Sequence, residues 1–130
     1  MRPSVLIMMS TYNGEKYVSE QIESILAQQH VDITLAIRDD GSNDTTLHIL
    51  NDYAAKHPNI SVTAGDNIGY AASFWTLLMQ ADTSYDYYAF ADQDDLWDAN
   101  KIAAAIFAIK KTDNPLTLYT SALRVVDENL

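Results

Sequence analysis

The chain has 130 residues, 48% of them hydrophobic and 20% charged, which is the composition of one globular domain with a core of its own. A formal net charge of −10 argues against nonspecific binding to nucleic acid or to an anionic membrane, because both require basic surfaces. The absence of cysteine excludes a disulfide framework, a thiolate zinc site and a cysteine nucleophile.

The first ten residues carry one basic side chain, Arg2, and a short apolar run. That run is too short to span a membrane and lacks the small-residue cleavage site of a signal peptide. It is therefore predicted to be the first strand, and the protein is predicted to be cytoplasmic.

Apolar periodicity predicts strands and helices in alternation along the chain. The helices carry apolar residues at helical spacing, such as Val18 and Ile22 in the first and Ile102 and Ile106 in the last. This order is typical of an α/β protein, with a mainly parallel sheet and helices on both faces. In chain order, the predicted elements are strand 5–9, helix 15–29, strand 33–38, helix 43–56, strand 60–63, helix 70–81, strand 87–91, helix 99–111 and strand 116–121.

Polar residues follow three of the predicted strands, in segments 10–13, 39–42 and 92–95. Ligands of such folds bind at the carboxyl ends of the parallel strands. We therefore expect these three segments to converge on one rim and to form the functional site.

The acidic segment Asp92-Gln93-Asp94-Asp95 follows an aromatic run that is predicted to be a buried strand. Carboxylates two residues apart at a strand end point to the same side, and they repel unless a cation lies between them. A hard divalent cation fits Asp92 and Asp94 and keeps positions open for substrate phosphates. The alternative is a solvated acidic turn that favours the next helix through its dipole, a role we assign to Asp95 and Asp98.

The segment Asp39-Asp40-Gly41-Ser42 can place one aspartate on the rim, where its carboxylate would accept a hydrogen bond from a nucleotide base or ribose. Gly41 permits a tight turn, and Ser42 or Asp44 can cap the following helix. The alternative is a turn and cap without a ligand, because Asp, Gly and Ser are the commonest turn residues.

The segment Ser10-Thr11-Tyr12-Asn13 can offer an aromatic face and backbone groups to a base, or it can be a polar loop in which Asn13 caps the first helix. It matches neither the G-x-G-x-x-G fingerprint nor a P-loop. Asn67-Ile68-Gly69 opens the third helix, so its N–H groups could bind a phosphate or belong to a capped turn.

The ordered set of motifs resembles the nucleotide-sugar-binding half of a family 2 glycosyltransferase with the GT-A (Rossmann-like) fold. The residues of these motifs are similar to those of the rhamnosyltransferase-like branch. The resemblance covers nearly all of residues 1–130 and implies the N-terminal part of a longer enzyme. The motifs that carry it are Ser10-Thr11-Tyr12-Asn13-Gly14-Glu15-Lys16-Tyr17, Arg38-Asp39-Asp40-Gly41-Ser42, Asn67-Ile68-Gly69 and Asp92-Gln93-Asp94-Asp95-Leu96-Trp97.

The resemblance implies that the loop at Tyr12, together with Asp40, holds a pyrimidine base. It also implies that Asp92 and Asp94 form a D-x-D pair, in which Asp94 binds Mg²⁺ or Mn²⁺ and Asp92 binds the metal or the ribose. The donor would be a dTDP- or UDP-sugar, with rhamnose suggested by the branch, and the acceptor a saccharide or lipid-linked saccharide in polysaccharide assembly. The implied nucleotide-sugar-binding residues are Ser10, Thr11, Tyr12, Asn13, Glu15, Asp40, Asn67, Gly69, Asp92 and Gln93.

The sequence differs from the family pattern at two places, and the expected catalytic base is not among its motifs. Ala72 and Ser73 stand where the family often has a basic residue and an asparagine, which weakens a diphosphate contact from the third helix. Ala99 and Asn100 replace a common Pro-Asp pair at the start of the fourth helix. The catalytic base is expected beyond Leu130, and attachment to the inner face of a cell membrane would be at most peripheral.

Two other function classes share this pattern. A receiver-type signalling domain is also doubly wound, but it needs its acidic pair after the first strand and a lysine after the fifth. The second alternative is a noncatalytic nucleotide-binding or interaction module on the same scaffold, which the lack of an acceptor-binding half in these 130 residues keeps open.

Overall fold

The computed structural model describes residues 1–127 and residue 129. Four strands and four helices alternate along this part of the chain, close to the predicted order. They are β1 (Ser4–Thr11), α1 (Val18–Leu26), β2 (Asp32–Asp39), α2 (Thr46–Lys56), β3 (Ile60–Ala64), α3 (Tyr70–Gln80), β4 (Tyr87–Ala91) and α4 (Lys101–Lys110).

The four strands form one parallel sheet in the order β3-β2-β1-β4. The register pairs Thr11 at the end of β1 with Asp39 at the end of β2, and Met9 with Ala91 at the end of β4. Parallel strands require crossover connections, and the helices supply them here. The predicted α/β fold, with a parallel sheet between helices, is confirmed.

Alternation along β1 places a separate core on each face of the sheet. Val5, Ile7 and Met9 face the larger core, which also contains apolar residues of α1, α2 and α4. Leu6 and Met8 face a smaller core closed by Leu77 of α3 and its partly buried neighbours. Each fully buried side chain of this size contributes about 1.5–3 kcal/mol, so the larger core dominates the stability of the fold.

Helix α1 is shorter than the predicted helix 15–29 at both ends, because residues 15–17 form turns on Gly14 and the helix ends at a cap at Ala27. The predicted Asn13 cap is wrong: the N-cap position is Tyr17, without a side-chain hydrogen bond.

The predicted fifth strand at 116–121 is wrong, since the structure assigns no strand to these residues. The N–H of Leu116 and the hydroxyl of Thr117 bond back to Asn114, so the first residues of this segment turn back on Asn114. A period-two pattern makes an extended segment favourable, but a strand also needs a neighbour with which to form a ladder, and none of the described strands pairs with this segment.

The aromatic run before Asp92 forms the predicted strand, but the prediction that this strand is buried is wrong for one of its two faces. β4 is the edge strand of the sheet, and the side chains facing α3 are largely open to solvent, with Tyr88 41% and Phe90 53% exposed. Phe90 keeps one edge-to-face contact with Phe74, at 5.5 Å between ring centroids. Trp97 is buried, as expected of a core aromatic.

Candidate functional site

The ends of β1, β2 and β4 bring the three polar segments together on one rim of the sheet. The amide N–H of Asp40 donates to the carbonyl of Thr11 at 2.8 Å, which continues the ladder past the last paired residues. The amide N–H of Tyr12 donates to Gln93 Oε1 at 2.9 Å, which joins the first segment to the acidic one. The rim is therefore continuous across three strands.

Asp39 is turned into the protein and closes its own turn. Its carboxylate accepts bonds from the Thr11 hydroxyl at 2.8 Å, the Ser42 hydroxyl at 2.6 Å and the Ser42 N–H at 2.9 Å. Gly41 has φ of +78°, and a Cβ there would lie 2.9 Å from the backbone nitrogen of Asn67. Thr11 and Asp39 thus hold the rim together from below, and both are 1% exposed.

Asp40 is held by three donors. Arg38 Nη1 lies 2.7 Å and the Ile68 N–H 2.9 Å from Oδ1, while the Gly69 N–H lies 3.0 Å from Oδ2. Burial acts to raise the pKa of Asp40, but these hydrogen bonds and the Arg38 charge outweigh it and hold the pKa below 3.8. A carboxylate offers about four acceptor positions, so one position on Oδ2 is left for a further donor.

Arg38 extends this network beneath α3. Its Nη1 also donates to Ser73 Oγ at 3.0 Å, its Nη2 donates to the Asp66 carbonyl at 3.0 Å, and Ser10 Oγ donates to Ser73 Oγ at 2.6 Å. A Cβ on Gly65 would collide with the guanidinium group. Ser10 is thereby engaged inside the protein.

No role for Arg38 or Ser73 is predicted from the sequence, and Ser73 stands out there only as a departure from the family pattern. The available signal is the two-residue spacing of Arg38 and Asp40 at a strand end, which places both side chains on one side of the sheet. The structure also shows that the N–H groups of Ile68 and Gly69 bond to Asp40. Of the two predictions for segment 67–69, phosphate binding or a capped turn, these bonds correspond to the capped turn.

The loops after β1 and β2 are locked to each other. The Asn13 amide oxygen accepts the Asn43 N–H at 2.8 Å, and the Asn13 N–H donates to Ser42 Oγ at 2.9 Å. The Glu15 carboxylate accepts the Thr45 N–H at 3.0 Å and its hydroxyl at 2.6 Å. Both predicted ligand-binding side chains therefore bond to the neighbouring loop, and their contact with a ligand stays a prediction.

The acidic loop, residues 92–95, presents Asp92 and Asp94 to solvent, while Asp95 is half-buried. Burial is the largest cause that raises the pKa of Asp95, followed by the negative charges of Asp92 and Asp94, with Lys101 opposing them. The three carboxylates are thus close enough to repel. A cation that neutralises the loop would relieve that repulsion.

The donor set of the acidic loop fits a hard cation that takes part of its coordination shell from a substrate. Among residues 1–127 and 129, no group of three or more His, Cys, Asp or Glu side chains is arranged to hold a metal ion unaided. Mg²⁺ commonly uses one or two carboxylates and completes its shell with water and phosphate oxygens. Asp92 and Asp94 are suited to that arrangement.

A cavity of about 1000 Å³ lies beside the acidic loop, between the start of α4 and residues 121–127. Lys101 Nζ donates to Ser121 Oγ at 2.7 Å, and Arg124 lies 3.7 Å from Asp98. These contacts hold the last described segment near the acidic loop and leave space for a ligand between them.

Asp127 lines the same cavity. Glu128 and Leu130 lie outside the described residues, and the catalytic base predicted beyond Leu130 stays a prediction. In the part of the chain that the structure describes, no helix is both long and apolar enough to cross a membrane.

Comparison with known families agrees with this geometry. The model of the family described as glycosyl transferase family 2 matches residues 6–128. The chain belongs to glycosyl transferase family 2. This membership confirms the resemblance inferred from the motifs and sets aside the receiver-type alternative.

Two curated relatives illustrate the family. Over 102 residues the chain is 41% identical to the dTDP-rhamnosyl transferase RfbG of Shigella flexneri, a match that covers 75% of this chain and 35% of that protein. Over 119 residues it is 29% identical to the chondroitin synthase of Escherichia coli, covering 92% of this chain and 17% of that protein. The chain thus spans about a third or less of the length of these relatives.

Solved structures share the fold. The S. aureus TarS fragment 1–349 in complex with UDP-GlcNAc superposes with a TM-score of 0.72 at 28% identity, covering 85% of this chain and 32% of that one. The mannosyltransferase PcManGT from Pyrobaculum calidifontis, in complex with GDP-Man and Mn²⁺, gives a TM-score of 0.69 at 26% identity, covering 88% and 34%. The predicted GT-A fold is confirmed.

Proposed function

We propose that this chain is the donor-binding part of a metal-dependent, inverting glycosyltransferase that uses a pyrimidine nucleotide sugar, dTDP-rhamnose in particular. The observation that carries the proposal is the single rim on which the acidic loop, the Tyr12 loop and Asp40 meet, joined by the Tyr12–Gln93 bonds. The similarity to the dTDP-rhamnosyl transferase of Shigella supports the choice of a dTDP-sugar.

The base would bind between the exposed ring of Tyr12 and the remaining acceptor position of Asp40 Oδ2. Tyr12 is 43% exposed, so its ring face is available for stacking. A pyrimidine carries one N3–H donor, and a carboxylate whose pKa is lowered stays ionised at neutral pH and accepts it. Asn67, which is exposed beside this position, is proposed to contact the nucleotide as well.

Asp92 and Asp94 would hold Mg²⁺ or Mn²⁺. A cation bound there supplies positive charge to the diphosphate leaving group, which is electrostatic stabilisation of the departing oxygen. The Mn²⁺ complex of the Pyrobaculum relative supports this proposal. The chain's own contribution is to place two carboxyl side chains on a short loop beside the base site.

In the transfer step, the acceptor hydroxyl oxygen would form a bond to the anomeric carbon while the bond from that carbon to the diphosphate oxygen breaks. The hydroxyl proton would pass to a carboxylate base, and the nucleoside diphosphate would leave with the bonding electron pair. The acceptor would be a saccharide or lipid-linked saccharide. The base would be supplied by additional sequence of the kind that makes the relatives longer. The cytoplasmic location, near the inner face of a membrane, stays a prediction.

Thermal and urea unfolding of the 130-residue chain with dTDP, UDP and GDP, each with and without Mn²⁺, tests the proposal. A pyrimidine diphosphate at about 100 times its dissociation constant should raise the free energy of unfolding by about 2.7 kcal/mol. We expect this gain to need Mn²⁺ and to vanish in Asp94→Ala.

Asp32→Ala is the matched control, because Asp32 is an exposed carboxylate at the start of β2, at the end of the strands opposite to the acidic loop. It should keep the full gain. No stabilisation of the parent by any of the three nucleotides would favour the interaction-module alternative, and equal gains with and without Mn²⁺ would contradict the metal site.

A further inference from the structure

Gln93 lies between the two proposed metal ligands, but its carboxamide points to the other side of the site. Its Oε1 accepts the Tyr12 N–H at 2.9 Å, and its Nε2 donates to the Tyr12 carbonyl at 3.0 Å. The side chain thus pairs with both backbone groups of one residue, as a neighbouring strand would. A bidentate amide pair of this kind fixes orientation as well as distance.

The absence of a side chain at Gly14 leaves the space that the Gln93 carboxamide occupies. A Cβ on Gly14 would collide with the carboxamide of Gln93, so any larger residue would displace it. The Gly14 N–H is held separately by Thr46 Oγ1 at 2.9 Å, so the loop cannot easily move away to make room. The close approach of Gln93 therefore depends on a glycine at this position.

The contact joins two loops that carry different parts of the proposed site. The base-side loop, residues 12–15, carries Tyr12, and the acidic loop carries Asp92 and Asp94. β1 and β4 pair only as far as Met9 and Ala91, so beyond that pair the sheet ladder no longer sets the distance between the two loops. The two Gln93 bonds act beyond the end of that ladder.

We propose that Gln93 is a positioning residue that sets the distance between the base-side loop and the acidic loop, so that a nucleoside diphosphate meets both at once. This inference rests on the proposed function for its ligand. In this inference Gln93 acts by holding the Tyr12 backbone. The family resemblance implies only that Gln93 is one of the nucleotide-sugar-binding residues.

The contact itself is tested without any ligand, by hydrogen exchange of the Tyr12 amide. Gln93→Ala and Gly14→Ala should accelerate that exchange by about fivefold, because a net hydrogen bond contributes about 1 kcal/mol and 1.4 kcal/mol is a factor of ten. Asn59→Ala is the control, since Asn59 Nδ2 makes a similar bond to the Ile33 carbonyl far from the rim. Unchanged Tyr12 exchange in both rim variants would overturn the proposal.

The affinities of three ligands for the same proteins distinguish a positioning role from direct contact. The ligands are thymidine, pyrophosphate with Mn²⁺, and dTDP with Mn²⁺. We expect Gln93→Ala to weaken dTDP by about tenfold and each smaller ligand by less than about threefold, because only dTDP spans both loops. Asn59→Ala should leave all three affinities unchanged.

Two other results would overturn the positioning role. If one small ligand is weakened as much as dTDP, Gln93 contacts that ligand directly. If all three ligands are weakened equally, the variant only disturbs the fold. Failure of the parent to bind dTDP would instead contradict the proposed function, while the Tyr12 exchange result would still decide whether Gln93 holds the loop.

Discussion

Arg38 and Asp40 carry the only ion pair whose two side chains are both buried in the described part of the chain, at 9% and 3% exposure. Burying two charges costs several kcal/mol each, and their attraction offsets this only when the remaining hydrogen-bonding groups are satisfied. Here Ser73 and the Asp66 carbonyl satisfy Arg38, and two backbone N–H groups satisfy Asp40. The pair thus fixes the turn that leads into α3.

Arg38→Met should therefore destabilise the protein by about 3–5 kcal/mol in urea denaturation, because it leaves the Asp40 carboxylate buried without its cation. Arg124→Met is the matched control. Arg124 pairs with Asp98 at 3.7 Å, but both side chains are more than three-quarters exposed, and such pairs contribute about 0–1 kcal/mol. Equal losses in the two variants would show that the Arg38 network does not stabilise the fold.

At the scale of the elements, the two faces of the sheet are covered unequally. α1 buries Val18, Ile22 and Ile25 completely, whereas α3 buries only Ser73 and Leu77 and leaves much of its apolar surface exposed. A helix with few buried contacts opens at a lower free-energy cost than a well-packed one. α3, which carries the turn held by Asp40, is thus the less firmly anchored of the two.

Truncation to alanine should reveal this difference. Ile22→Ala in the larger core is expected near the upper end of the range of about 2–5 kcal/mol for such deletions, and Leu77→Ala near the lower end. The difference arises because the site around Leu77 is closer to solvent and can relax more easily. Urea denaturation of both variants measures it, and a larger loss for Leu77→Ala would contradict the unequal anchoring.

The elements themselves show what a sequence can reveal. β1 and β2 are predicted within two residues at each end, because continuous apolar runs between polar segments indicate strands buried on both faces. Segment 116–121 has a period-two apolar pattern, which also indicates a strand, but it has no neighbouring strand in the structure. Tyr88 and Phe90 are apolar too, yet their exposure depends on the position of β4 in the sheet order, which periodicity does not encode.

The same division applies to the candidate site. That three segments would share a rim could be predicted, because parallel strands end on the same edge. That Asn13 and Glu15 bond to the loop after β2 could not be predicted, since those partners depend on how two loops meet in space. Arg38 was missed for the same reason: its partners, apart from the nearby Asp40, come from residues about 30 positions away.

For the whole molecule, the dominant electrostatic feature is 18 acidic residues against 8 lysines and arginines. Burial acts to raise the pKa of Asp40 and of Asp44, but their hydrogen bonds outweigh it and lower both pKa values, so the stabilisation is present above the usual aspartate range and is lost as the pH falls through the lowered values. The pKa of Asp95 is raised, by burial and then by Asp92 and Asp94, so the folded state gains stability as that carboxyl takes up its proton.

The parent should accordingly become more stable as the pH is lowered from 7 through the raised pKa of Asp95, and less stable once the pH falls through the lowered pKa values of Asp40 and Asp44. Asp95→Asn removes the charge that Asp92 and Asp94 repel, so it should be more stable than the parent at pH 7 and should show a smaller rise on acidification. Asp32→Asn, which removes one charge at the opposite end of the strands, should retain the parent's rise. Urea denaturation at a series of pH values measures all three curves. If Asp95→Asn and Asp32→Asn behave alike, the rise reflects the total charge of the molecule, and the acidic loop holds no special repulsion for a cation to relieve.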